Sequence, residues 1–225
     1  VDTDTETTVT ITVVDASSDN NFDALADQTV TVTTTDNETA GFTKSQTART
    51  VTEAAGGGNT ATFTLVLDAE PDSNVVLNVV SADTTEVTVG TADYTFTAAN
   101  WDTPQTVTLT GVNDDIIDGS INTTVTISVT DASSDNNFDA LADQTITVTT
   151  TDNDTAGFTK SEATQTVTEG GGTDTFTLVL NAEPDSNVVL FVLSLDTGEV
   201  TVGTSTYTFT AANWDTPQTV TLTGI

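Results

Sequence analysis

The chain has 225 residues, with 34 acidic side chains against three basic ones (Lys44, Arg49 and Lys160) and a net charge of −31. Three cations cannot neutralise a phosphate backbone, so nucleic acid is excluded as a partner. Cysteine and histidine are absent, which excludes disulfides and thiolate or imidazole metal sites and leaves hard, oxygen-liking cations.

The sequence repeats itself. "DASSDNNFDALADQT" at Asp15 to Thr29 returns unchanged at Asp131 to Thr145, a spacing of 116. "TAANWDTPQTVTLTG" at Thr97 to Gly111 returns at Thr210 to Gly224, a spacing of 113. The difference sits between "TEAAGGGNTATF" and "TEGGGTDTF", a Gly-rich turn where length changes are cheap. Residues 1–35 therefore match the last third of a unit, 36–151 form one complete unit, and 152–225 match the first two-thirds of the next. The expectation is an excerpt from a longer tandem array, consistent with the missing initiator Met and signal peptide. The other reading is that one chain's tail is completed by the head of an identical chain.

Within the complete unit, period-two alternation predicts strands at 48–53, 60–67, 74–81, 86–97 (with a break), 105–112, 122–130 and 144–151. Val107, Leu109, Val125, Ile127, Val129, Ile146 and Val148 share one face, and Thr takes the other, where its branched side chain fits the pleat and its hydroxyl meets water. Seven or so short strands in one unit predict an all-β fold of tandem antiparallel β-sandwiches. No apolar run approaches the roughly 18 residues of a membrane-spanning helix.

In an antiparallel succession the turns alternate between the two ends of the sandwich. Counting them puts Glu53, Asp83, Asp114, Asp115, Asp118, Asp152 and Asp154 at one pole, with the amide oxygens of Asn113 and Asn153 among them. At about 5 Å and an effective dielectric near 20, each like-charge pair costs on the order of 3 kcal/mol. Protonation or cation binding relieves this. Ca2+ takes six to eight oxygens in irregular geometry and suits such a set better than Mg2+, whose octahedron is strict. A merely solvated acidic rim would instead spread acids over the strand faces, which here carry Thr.

"TEGGG", "TGVNDDIIDG" and "TVTTTDNDTAGF" together resemble the Calx-beta domain. The resemblance covers essentially the whole repeat and implies a calcium-binding, immunoglobulin-like sandwich of the type found in tandem in bacterial surface proteins. It carries the liganding positions onto Glu53, Asp83, Asp114, Asp115, Asp118, Asp152 and Asp154. Glu169 and Asp196 would begin the next site, and Asp2, Asp36 and Glu38 would close the previous one. Ala54, Asn113, Asn153 and Gly119 depart from the pattern, which implies fewer or weaker ions. Bound calcium would make each junction a clasp between neighbouring repeats.

The remaining features point away from chemistry. The segment "DASSDNNFDALADQ" lacks the Gly and bidentate Glu of an EF-hand and reads as a packing loop with Phe138 and Leu141 inward, against a second ion site. Trp101 and Trp214 read as plugs at the sandwich end, against sugar-stacking platforms. The Thr-rich strands allow an ice-binding surface as a minor alternative. With no His or Cys, and no apolar pocket to raise one carboxyl selectively, catalysis and a small-molecule substrate are not expected. The functional expectation is a structural, extracellular or cell-surface repeat, as in an adhesin stalk or matrix component. The alternative is a filament subunit that completes split sandwiches between identical chains.

Overall fold

The computed structural model describes residues 1–2, 4–54 and 59–225; residues 55–58, in the Gly-rich turn where the repeats differ in length, lie outside them. Alternating Val and Thr produce a nearly all-β molecule. β1 (Thr5–Ile11) and β2 (Gln28–Thr34) form an antiparallel hairpin joined through a 3-10 turn at Asp15–Ser17.

The complete unit follows. β3 (Phe42–Lys44), β5 (Thr60–Leu67), β9 (Gln105–Gly111) and β7 (Val87–Val89) make one sheet, in the order β3-β5-β9-β7. β4 (Ala48–Thr52), β11 (Gln144–Thr151), β10 (Ile121–Val129), β6 (Val75–Ser81) and β8 (Asp93–Phe96) make the other, in the order β4-β11-β10-β6-β8. The inward faces of both sheets share one core. Phe63, Leu65 and Leu109 come from the first sheet, and Leu77, Phe96, Ile127 and Ile146 from the second. The unit is therefore a β-sandwich.

The structure refines the predicted strands in three places. β3 has only three residues, too short to show an alternation, and was not predicted. The strand expected at 86–97 is two strands, because the chain crosses between sheets at its break: β7 pairs with β9 and β8 pairs with β6. Among the described strands every pairing is antiparallel except that of the edge strand β4, which runs parallel to β11. At the end of β9 the backbones approach so closely that a Cβ on Gly111 would lie 2.5 Å from the carbonyl oxygen of Thr52, so only glycine fits there.

One end of the sandwich is closed by side chains. Phe138 is fully buried and Leu141 packs against the same core. The buried Asp135 ties this segment to the turn before β6, accepting from Ser73 N at 3.0 Å and Asn137 N at 2.9 Å. Trp101 packs against the core and its carbonyl accepts from Leu67 N at 3.1 Å.

The third segment repeats the first sheet with β12 (Phe158–Lys160), β13 (Thr173–Leu180), β17 (Gln218–Gly224) and β15 (Val200–Val202), in that order. Opposite it stand only β14 (Val188–Phe191) and β16 (Thr206–Phe209). Its core is correspondingly small, with Leu178, Leu180, Tyr207, Phe209 and Val220 buried and Trp214 packed against them.

Candidate metal centre

Two strand pairings carry acids to one end of the complete sandwich. β4 and β11 are parallel and leave the sheet side by side, with Thr52 opposite Thr151. The next residues on each strand, Glu53 and Asp152, are therefore neighbours, and Glu53 N extends the ladder by donating to Thr151 O at 3.0 Å. β7 and β9 are antiparallel, with Val87 opposite Gly111, so the residue before β7 meets the residues after β9. Val112 N accordingly donates to Glu86 O at 2.9 Å, which sets Glu86 beside Asp114. The 112–120 loop is drawn in by Gly119 N, which donates to Asp152 Oδ2 at 2.9 Å; Gly119 has φ +76°, a conformation that favours glycine.

Two groups of three carboxylates result. Glu53, Asp152 and Asp154 each offer an oxygen within 4.8 Å of the others, and so do Glu86, Asp114 and Asp118. Glu53 is 1% exposed and Glu86 is also buried. Glu53 Oε2, Glu86 Oε2 and Asp154 Oδ2 are shielded from solvent with no hydrogen-bond partner. Such orphaned oxygens are costly unless a proton or a cation meets them.

The charges act on one another across both groups. Burial pushes the Glu53 carboxyl up to about 7, helped by Asp114, Asp118 and Asp152 and opposed by a hydrogen bond from Asn153. Burial likewise raises Glu86, with Asp118, Asp83 and Asp114 adding to it. Asp118 and Asp154 are raised for the same reasons, burial first and neighbouring aspartates second. Neither Lys44, whose Nζ donates to Gln144 Oε1, nor Arg49, whose Nε donates to Thr62 O, is committed to these carboxylates. An all-oxygen set with buried, unpartnered carboxylates fits a hard divalent ion of Ca2+ type, which takes oxygen ligands in irregular geometry.

The other predicted residues sit as follows. Asp83 accepts from Thr85 N and Thr85 Oγ1, which hold its carboxyl below the usual range, and it joins neither group. Glu86, which sequence reasoning passed over, joins instead. It lies in the same turn, and the signal available was its position next to the strand. Asp115 turns its backbone to the following segment, where Glu183 N donates to Asp115 O at 2.7 Å. Asn113 Oδ1 accepts from Asn153 Nδ2 at 3.2 Å, and the same Nδ2 donates to Glu53 O, so these amides brace the site.

The residues assigned to adjacent sites are not gathered into a triad among the described residues. Glu169 is exposed, and Asp196 Oδ1 accepts from Gly198 N at 3.0 Å. Asp36 Oδ1 accepts from Glu38 N at 3.1 Å; Asp2 and Glu38 line a cavity with Glu70, Pro71 and Trp101.

No protein-family model matches the chain, and no curated protein matches it. Solved structures similar to it include the calcium binding domain CBD12 of CALX1.1, at 13% identity and TM-score 0.38, covering 80% of this chain and 74% of that one. The apo-form Calx CBD1 domain is 12% identical with TM-score 0.37, covering 52% of this chain and 100% of that one. Domains 4 and 5 of the S-layer protein SbsC are 22% identical with TM-score 0.34, covering 55% and 59%. A likeness this loose says nothing about activity.

Proposed function

We propose that this chain is a non-catalytic structural module whose sandwiches are stapled at their seams by Ca2+, within a secreted or cell-surface repetitive protein such as an adhesin stalk or matrix component. The observation that carries the reading is the set of three buried carboxylate oxygens without a hydrogen-bond partner, on Glu53, Glu86 and Asp154. Glu53, Asp152 and Asp154 would hold one ion and Glu86, Asp114 and Asp118 a second, each short of its full shell and completed by carbonyls and water. The seam is adjacent: Ile116 bridges to Glu183 of the next segment, and Asp185 of that segment lies close enough to act on Asp118. Filling the site would cancel repulsion at the joint and stiffen it.

Extracellular calcium, at millimolar levels, suits sites of modest affinity. The acidic surface and outward Thr faces keep a long array soluble. No helix is long and apolar enough to cross a membrane, among the described residues. The resemblance of the acidic turns to Calx-beta domains agrees with the calcium assignment. Melting the 225-residue protein in Ca2+, Mg2+ and chelator tests it: Ca2+ should raise the melting temperature well above Mg2+, and a melt indifferent to Ca2+ removes the staple. A second reading, a filament in which split sandwiches are completed between identical chains, is favoured by the uncovered core faces at the two ends of the molecule.

A further inference from the structure

The β1–β2 hairpin and the C-terminal segment each lack what the other has. On the hairpin, Val9, Ile11, Val30 and Val32 are 47%, 59%, 49% and 44% exposed. Their counterparts 116 residues later, Val125, Ile127, Ile146 and Val148, are all at 0%. Phe22 is 55% exposed, whereas Phe138, in an identical stretch of sequence, is at 0%. Two-stranded hairpins are marginal by themselves, and an apolar face with a free edge invites a further strand.

The C-terminal segment shows the matching gap. In the complete unit β6 extends to Ser81 because β10 pairs with it, and β4 forms because β11 does. Without those partners β14 stops at Phe191, and residues 164–168, the counterparts of β4, form no strand. A mainly apolar cavity of about 330 Å³ opens among Phe158, Leu180, Val188 and Leu190, bordered by Ile117 and Pro184. Those first four residues correspond to Phe42, Leu67, Val75 and Leu77, which share a core with Phe138. In the complete unit the Phe138 segment is held beside the corresponding start of β6, where Asp135 N donates to Asn74 O and Ser73 N to Asp135 Oδ2.

We propose that the β1–β2 hairpin of one copy docks into the C-terminal half-sandwich of a second copy, completing its core and linking chains head to tail. This rests on the filament reading and gives it a register and an occupant. Following β10 against β6, Val9 faces Ser194, Thr10 faces Leu193 and Ile11 faces Val192 of the second copy. Following β11 beside β4, Thr31 lies opposite Thr164 and Thr34 opposite Val167. Phe22 enters the cavity, and Asp19 takes the role of Asp135, accepting from Ser186 N. The joint also assembles carboxylates that neither copy gathers alone: Asp36 and Glu38 of the first copy meet Glu169 of the second, at the positions of Asp152, Asp154 and Glu53.

The test is sedimentation of the 225-residue protein over a wide concentration range, in Ca2+ and in chelator, together with cross-linking. Mass should grow with concentration, and Ile11→Glu should weaken association by at least about a hundredfold, comparable to burying an unpaired charge. Ile11 is exposed in the single chain, so this change leaves the complete unit's melting intact. Directly opposed residues of antiparallel strands are within disulfide reach, and the chain has no cysteine of its own. Thr10→Cys with Leu193→Cys should therefore give a ladder of intermolecular disulfides. Thr10→Cys with Val192→Cys, which face opposite sides of the sheet, should give none. A chain that stays monomeric in both buffers overturns this docking and the filament reading together. Association that ignores Ile11→Glu, or that yields no 10–193 cross-link, overturns the docking alone.

Discussion

Glu53 and Glu169 each follow a Val-Thr pair at the same place in the repeat, yet Glu53 is buried and Glu169 lies on the surface. The same contrast runs through both units. Phe42 is buried and Phe158 exposed; Val75 is fully buried and Val188 only partly; β6 has seven residues and β14 four. The parts of the two units that contain their own partners behave alike, since Val107 and Val220 are both fully buried in the middle of β9 and β17. The difference between the units is the presence or absence of β10, β11 and the segment joining them. That hairpin defines the edge strand, closes the core and creates the environment that makes the acids unusual.

The largest effect expected is from Phe138→Ala. Deleting a fully buried Phe should destabilise the complete unit by about 3–5 kcal/mol in urea unfolding. Phe22→Ala, at an exposed copy of the same site, should change the isolated chain by less than about 0.5 kcal/mol. Equal losses would erase the contrast between the two segments.

The pH response comes next. The folded Glu53 carboxyl, at about 7 against an ordinary 4.5, binds its proton more tightly than the unfolded chain does. In chelator, stability is therefore full near pH 4.5 and falls as pH rises through 7, by about 3 kcal/mol. Glu86, Asp118 and Asp154, also raised, act in the same direction. Glu53→Gln should flatten much of this slope, whereas Glu169→Gln should leave it unchanged. Calcium should reverse the order of the melts, because protons compete with the ion; at a hundredfold excess over its Kd it should add about 2.7 kcal/mol near neutral pH.

A smaller effect separates backbone from side chain. Gly111→Ala should cost about 1–3 kcal/mol, since the added methyl meets the backbone of β4 with no room to shift. The smallest belongs to Asp83→Asn, which keeps an acceptor for Thr85, belongs to neither triad and removes only one of the charges acting on Glu86. A change within about 0.5 kcal/mol, and calcium affinity within twofold of the parent, would agree with Glu86 holding the place in the second group.

Much was legible from the residues alone. Alternating Val and Thr gave away the strands because a sheet residue faces inward or outward by parity, and the turn acids sorted to one pole because successive strands reverse direction. β3 escaped because three residues carry no period, and the crossing between β7 and β8 showed only as a break. Glu86 escaped because counting turns locates a pole but not which side chain of a turn enters it. The sequence by itself thus determined the strand periodicity, the repeat and the pole at which charge collects, all properties of neighbours along the chain. Only the tertiary structure decided that β4 runs parallel to β11, that Glu53 and Glu86 lose water while Asp83 keeps to its own turn, and that Val9 and Ile11 stay exposed while Val125 and Ile127 are buried. Those depend on which strands pair across long separations, and burial and charge coupling exist only once they have paired.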